Sequence, residues 1–265
     1  MPSSNKFATR RRLLEFAIGA SPFVIGAVAW QAVSLSGRLP AVLFPDLGTI
    51  LSSFVDLLTS GVLADAAIGT LTRLGSGFAI AAALGLSLGF LMGRYQIAED
   101  FLLPVISFGY PIPSFAYAPL FVLWFGLGDT PSIMLVAIAA AFPITINTWR
   151  GVKSIKPIWI RSAQGMGATE PQILRKVILP ASLAFTLVGL RLGLAQAWRI
   201  LIGVEMLTAV ANGLGSLIFG AQQFLNTDVM LSGIIMIGLI GYCLEKQIFE
   251  RIERLTLARW GMITA

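Results

Sequence analysis

Six stretches of this chain are apolar for long enough to cross a bilayer as a helix, which takes about 20 residues. They fall near residues 13–33, 68–92, 102–125, 131–149, 180–206 and 229–247, and the charged residues gather in short segments between them. The pattern predicts an all-α integral membrane protein with six transmembrane helices and both ends on one side. With the N-terminus taken as cytosolic, all but four of the 19 Lys and Arg residues fall in cytosolic segments. Arg38 and Arg73 fall opposite, and Arg191 and Arg199 lie inside the fifth span. Basic residues are retained on the cytosolic side of a membrane, so N- and C-termini are expected in the cytosol.

One polar interlude interrupts this pattern: Arg161 to Pro180, RSAQGMGATEPQILRKVILP. Its residues predict two short helices joined by a hinge. Pro157 suits the first turn of a helix, where its missing N–H costs nothing. Gly165 and Gly167 stop that helix, since glycine takes left-handed angles cheaply. Thr169-Glu170-Pro171-Gln172 reads as a capping box opening a second helix that buries Ile173, Leu174, Val177 and Ile178 on one side. Pro180 is expected to close that helix, because the residue before a proline is pushed out of helical angles. A rigid polar element thus sits on the mouth of the fifth span, placed to pass force from a soluble partner into the membrane.

The spans carry their own irregularities. Gly77, Ala81, Gly85, Gly89 and Gly93 put a small residue at every fourth position of span two, and Gly189, Gly193 and Ala197 do the same in span five. Such ridges let helices approach closely in lipid. Pro104, Pro111, Pro113 and Pro119 interrupt span three, with Tyr110, Ser114 and Tyr117 among them. Irregular backbone at membrane depth is tolerated only inside protein or beside a wet cavity. In span five, Arg191 lies about 16 Å from Pro180 and Arg199 about 28 Å, at 1.5 Å per residue. A central arginine costs at least about 2.5 kcal/mol on insertion scales, so Arg191 should have a partner or a carbonyl clamp. Arg199 has three readings: snorkelling outward, pairing with Glu205, or meeting an anion in a cavity. Between spans one and two, Leu47, Ile50, Leu51, Phe54, Leu57 and Leu58 recur at helical spacing, which predicts an amphipathic helix at the membrane surface.

Composition narrows the class. The 265-residue chain is 56% apolar and only 12% charged, with a mean hydropathy of +0.83, too oily for an ordinary water-soluble domain. The net charge of +6 comes from segments between spans, which fits topology rather than nucleic-acid binding. Arg10-Arg11-Arg12 before Leu13 to Val33 also has the outline of a signal peptide, with Ala27 and Ala29 as its small pair; it is read as a basic anchor before a first span. Cys243 is the sole cysteine and histidine is absent. No cluster of metal-ligating residues, phosphate-cradling Gly-rich loop or nucleophile motif is present, and Gly75-Ser76-Gly77 has the wrong spacing for a serine elbow. No catalytic constellation is found.

The interlude resembles the EAA signature of the membrane subunits of binding-protein-dependent ABC importers. Arg161, Ser162 and Ala163 stand in the triplet positions, Gly167 in the glycine position, Val177 in the branched position, and Leu179-Pro180 at the end; Arg161 departs from the usual glutamate. Phe44-Pro45, Pro119-Leu120, Trp124 to Gly128, Gly189-Leu190-Arg191 and Gly213-Leu214-Gly215 are similar to the branch importing nitrate, sulfonates, taurine and bicarbonate. The resemblance implies a type I importer permease with a MetI-like fold in a bacterial plasma (inner) membrane. It implies a second copy of the chain in a homodimer, two copies of an ATP-binding subunit holding ATP and Mg, and a periplasmic or lipid-anchored solute-binding protein.

On this reading residues 1–12 are a cytosolic basic anchor, 13–249 the permease domain with a coupling element at 157–180, and 250–265 a cytosolic tail with Glu250 and Arg254 one turn apart and Trp260 at the interface. Arg161, Ser162, Ala163, Gly167, Leu179 and Pro180 couple to the ATPase. Tyr110, Ser114, Tyr117, Arg191, Arg199 and Glu205 are candidate pathway or substrate residues. The competing classes are an ion-coupled secondary carrier or channel, which needs buried carboxylates along its path and has Glu205 as its main candidate, and a passive membrane anchor, which needs no capped hinge.

Overall fold

The computed structural model describes residues 4–208, 210–249 and 251, and these are helical with no strand among them. The chain runs α1 (Ser4–Leu35), α2 (Leu47–Thr59), α3 (Val62–Arg94), α4 (Gln96–Gly109), α5 (Ala118–Phe125), α6 (Asp129–Lys153), α7 (Pro157–Gly165), α8 (Glu170–Ile173), α9 (Leu179–Glu205), α10 (Leu214–Gln223) and α11 (Thr227–Cys243). A 3₁₀ turn over Ser114–Tyr117 precedes α5, and π turns cover Leu174–Ile178 and Leu244–Phe249. Five helical stretches are long and apolar enough to cross a membrane, and α4 with Ser114–Phe125 makes a sixth if that pair is one span. The tail at 250–265, with Glu250, Arg254 and Trp260, lies outside the described residues apart from Arg251, and so do the side chains of the basic anchor.

The core is a three-helix stack of α3, α6 and α9. The small residues of α3 are what let α6 lie against it: a Cβ on Gly77 would stand 2.6 Å from Val136, on Gly85 2.8 Å from Ile144, and on Gly89 2.6 Å from Thr148. From α9, a Cβ on Gly193 would stand 2.7 Å from the same Ile144. Ile144 is fully buried between the two glycines. Both ridges predicted from the sequence therefore serve contacts within one copy of the chain. Leu135, Val136, Ala140, Ala197, Leu201 and Val204 complete the buried cluster.

The third span breaks as its prolines foretell, though only two of the four break it. The helices on either side meet at 88°. Pro104 is carried inside α4 and Pro119 sits in the first turn of α5, where no N–H is missed. Pro111 and Pro113 occupy the elbow itself.

The amphipathic α2 forms as expected. Asp46 caps it, accepting from Thr49 Oγ1 at 2.7 Å and Thr49 N at 3.0 Å, and these bonds hold its carboxyl below the ordinary carboxylate range. Their contribution is present above that ordinary range and is lost as pH falls through the lowered value. The helix buries Ile50, packs Phe54 and Leu57 beside Leu63, Ala66 and Leu214, and leaves Leu51 and Leu58 exposed. The α1 helix is tied to its approach: Trp30 Nε1 donates to Pro45 O at 3.0 Å, Leu47 N donates to Gln31 Oε1 at 2.9 Å, and the Trp30 and Phe44 rings stack. The short α10, between the fifth and sixth spans, was not foreseen.

Candidate functional site

The 157–180 segment folds into a knuckle. Pro157 opens α7 at its first turn, and α7 ends at Gly165 in a Schellman motif. There Ala168 N donates to Ala163 O at 3.1 Å and Gly167 N to Gln164 O at 2.9 Å, with Gly167 at φ +77°. This pairing satisfies two of the helix's last carbonyls and needs a left-handed residue at Gly167. Thr169 and Gln172 then form the capping box of α8, with Thr169 N donating to Gln172 Oε1 at 2.9 Å. Ala163, Ile173 and Ile178 pack with Val152 and Ile155 into a small core of their own, which fixes the angle between the two arms. Leu174, expected in that core, is 39% exposed instead.

Pro180 does not end a helix. Residues 170–205 form one continuous 36-residue stretch that passes through Pro180 because the five residues before Leu179 widen into a π turn. A proline inside a regular helix clashes with the carbonyl four residues back and lacks its N–H. The wider turn removes that registry: Leu179 N bonds Leu174 O, five residues back. Leu179 is exposed and Pro180 half-buried. Knuckle and fifth span are one rod, so movement of α8 is movement of α9.

Of the matching triplet, Ala163 faces inward at 6% exposure, and Arg161 and Ser162 face out beside the exposed Ile158, Trp159 and Met166. A second tie was not foreseen. Arg94, the last residue of α3, donates from Nη2 to both carboxylate oxygens of Glu170 at 2.7 Å. Glu170 stands in the first turn of α8, where a carboxylate also suits the helix dipole. The pair bolts the knuckle to the core stack.

At the other end of the stack lies a buried ionic clasp. Arg73 of α3, counted on the outer side by charge, is a buried helical residue at 6% exposure. Its Nε donates to Asp129 Oδ1 at 2.6 Å and its Nη1 to Glu205 Oε1 at 2.8 Å. The other oxygen of Glu205 accepts from Thr70 Oγ1 and from Gly215 N, each at 3.0 Å, and Leu214 N donates to Thr70 Oγ1 at 2.9 Å. The Glu205 carboxylate joins α9 to α3 and α10, and Arg73 carries the connection on to α6 through Asp129. Glu205 thus pairs with Arg73 rather than Arg199, and complete burial with three donors on its carboxylate makes it a structural anchor.

The remaining candidates divide between two cavities that share Arg199. One, of about 310 Å³, is lined by Tyr110, Ser114, Phe142, Pro143, Gln196 and Arg199 among others, in the angle between the broken span and α9. The other, of about 350 Å³, contains Arg191, Trp198, Arg199 and Glu245; Arg191 meets Glu245 there at 3.2 Å, the partner its depth required. Arg199 Nε donates to Ala195 O at 3.0 Å. Tyr117 lies apart from both, against the main core. Gln196, Phe142 and Pro143 were missed; Gln196, three residues before Arg199 and hence on the same helical face, was the findable one.

This architecture of membrane helices with a capped knuckle before the fifth span has known relatives. Residues 81–245 match the family described as binding-protein-dependent transport system inner membrane component, and the chain belongs to that family. It is 39% identical to the taurine transport system permease protein TauC of Escherichia coli, across 71% of this chain and 68% of that one. It is 34% identical to a putative aliphatic sulfonates transport permease protein, SsuC, of Bacillus subtilis, across 90% and 85%. Its fold matches a chain of the inward-facing MetNI methionine ABC transporter with a TM-score of 0.62, at 21% identity over 75% of this chain and 97% of that one. The protein is a permease subunit of an ABC importer, an integral inner-membrane transport component and not an enzyme. Membership of the family implies an ATP-binding subunit and a solute-binding protein as partners.

Proposed function

We propose that two copies of this chain pair in the membrane and pass a small anionic solute, of the taurine or sulfonate kind, between them. Each copy seats its 157–180 knuckle on an ATP-binding subunit, which holds the ATP and Mg, and a solute-binding protein delivers the solute to the opposite face. Both termini and the knuckle lie in the cytosol. The basic residues support this orientation, the more so because Arg73 belongs to the buried clasp and leaves Arg38 as the one basic residue of an outer loop.

The observation that carries the reading is the union of knuckle and span. A socket that exposes Trp159 and Met166 to a partner at 52% and 81% is welded through the π turn to the whole length of α9. Closure of two ATPases against such sockets swings the α9 rods and opens the path alternately to each side. Reconstituted proteoliposomes test it. Uptake is expected only with ATP inside, the ATP-binding subunit present and liganded binding protein outside. Uptake driven by a proton or sodium gradient alone would overturn it in favour of a carrier.

A further inference from the structure

The cavity in the elbow of the broken span has the composition of a binding site. Arg199 is a cation near the outer end of the fifth span, about 28 Å along the helix from Pro180, where it needs a partner or access to water. The side chain is exposed and lines this cavity and the neighbouring one; among the described residues it forms no ion pair, and its hydrogen bond to Ala195 O uses Nε, so the two terminal amino groups are available to a ligand. Around it stand further donors: the Gln196 amide one turn back on α9, the hydroxyl of the buried Ser114 at the start of the 3₁₀ turn, and the phenol of Tyr110 at the end of α4. No carboxylate lines this space. A cation would meet Arg199 with nothing to offset the repulsion, whereas a single negative charge would find a planar fork of donors suited to two oxygens at once.

The walls narrow the class further. Phe142 and Leu192 face the same cavity, and Phe142 is held by the Tyr110 ring, 6.0 Å away between centroids. A bare inorganic anion gains nothing from apolar walls; a short hydrocarbon stem does, at about 0.8 kcal/mol per buried methylene. The volume of about 310 Å³ is at the small end of ligand sites. We infer that the elbow cavity is an intramembrane site for a compact organic oxyanion, its charged head on Arg199 with Gln196 and Ser114, its stem against Phe142 and Leu192. The inference rests on the permease reading and places the solute within this chain.

Binding, measured apart from transport, tests it. The full-length chain in lipid nanodiscs is titrated with sodium ethanesulfonate, against sodium chloride and ethylammonium chloride at equal ionic strength, and thermal unfolding is followed by tryptophan fluorescence. Ethanesulfonate is expected to raise the midpoint and the two control salts are not. Arg199→Gln should weaken the apparent affinity about tenfold to a hundredfold, the span for losing a charge-assisted bond. Arg199→Lys should fall between, since it keeps the charge and loses the fork. Ser114→Ala, a milder change, should weaken binding without moving the unliganded midpoint far. An equal response to all three salts in the wild type, or an ethanesulfonate response unchanged in Arg199→Gln and Ser114→Ala, overturns the site. Failure of ATP-driven uptake, by contrast, overturns the permease reading and leaves the binding result standing.

Discussion

Arg73 Nη1 lies 2.8 Å from Glu205 Oε1, with both side chains buried and the two residues 132 positions apart in the chain. The bond pins the start of α3 to the end of α9, and Asp129 and Gly215 N extend it to α6 and α10. It lies at the end of the stack away from the knuckle, so α9 is held there at the end opposite the proposed ATPase seat.

Removing one partner of a buried pair leaves an uncompensated charge and costs about 3–5 kcal/mol. Arg73→Met or Glu205→Met is therefore expected to lower the thermal midpoint of the purified protein steeply. The double variant should recover part of the loss, though not all, because Asp129, Thr70 and Gly215 N lose their partner as well. Additive losses in the double variant would show that the two side chains are not coupled.

The core stack depends on the absence of side chains at particular positions. Gly85→Leu forces a side chain into Ile144 and drives α3 from α6, where overpacking typically costs about 1–3 kcal/mol. Gly238→Leu, on α11 with nothing within 4 Å of the added Cβ, is the matched control and should leave the midpoint unchanged. The melting curves of the two variants check the pair.

Gly167 has open space around it and needs only its backbone angles. A β-branched residue at φ +77° costs about 1–2 kcal/mol, a strain borne by the Schellman turn alone. Gly167→Val should therefore insert and melt only a few degrees below the wild type, yet hydrolyse ATP in the assembled complex with little uptake. Gly167→Asn, which tolerates left-handed angles, should keep most of the coupling. The ratio of solute taken up to phosphate released is the readout.

How much of this was legible in the sequence follows from the range of the interactions. The spans, the capped knuckle and the small-residue ridges are local patterns of period and turn chemistry, and all three are found. The clasp was not foreseen, because Arg73, Asp129 and Glu205 are brought together from distant parts of the chain. Charge counting assigned Arg73 to the outer side although it falls within the apolar run at 68–92, because a count by side does not register burial or a partner inside the span. Pro180 was read as a stop because the proline rule assumes a regular α-helix, and the π turn over Leu174–Ile178 suspends it. Tyr110, Ser114 and Arg199 were each singled out, but the cavity that joins them exists only through the 88° elbow, whose angle no residue pattern encodes.

The Arg94–Glu170 bolt is partly exposed, at 28% and 56% of the two side chains, and such pairs contribute about 0–1 kcal/mol. Its expected effect is on transmission more than on stability. Glu170→Arg should lower the coupling ratio while the melting midpoint stays near the wild-type value, and adding Arg94→Glu should restore coupling. Failure of the charge swap to restore it would make the pair incidental.

The most direct measurement concerns what the knuckle touches. With a photoreactive amino acid in place of Met166, the residue that stands 81% exposed at the end of α7, illumination of a complex actively taking up solute should attach this chain to the ATP-binding subunit. A product formed instead with the solute-binding protein, or no product with the ATP-binding subunit in a complex whose uptake is intact, would contradict the assignment of the 157–180 element as the seat of the ATPase.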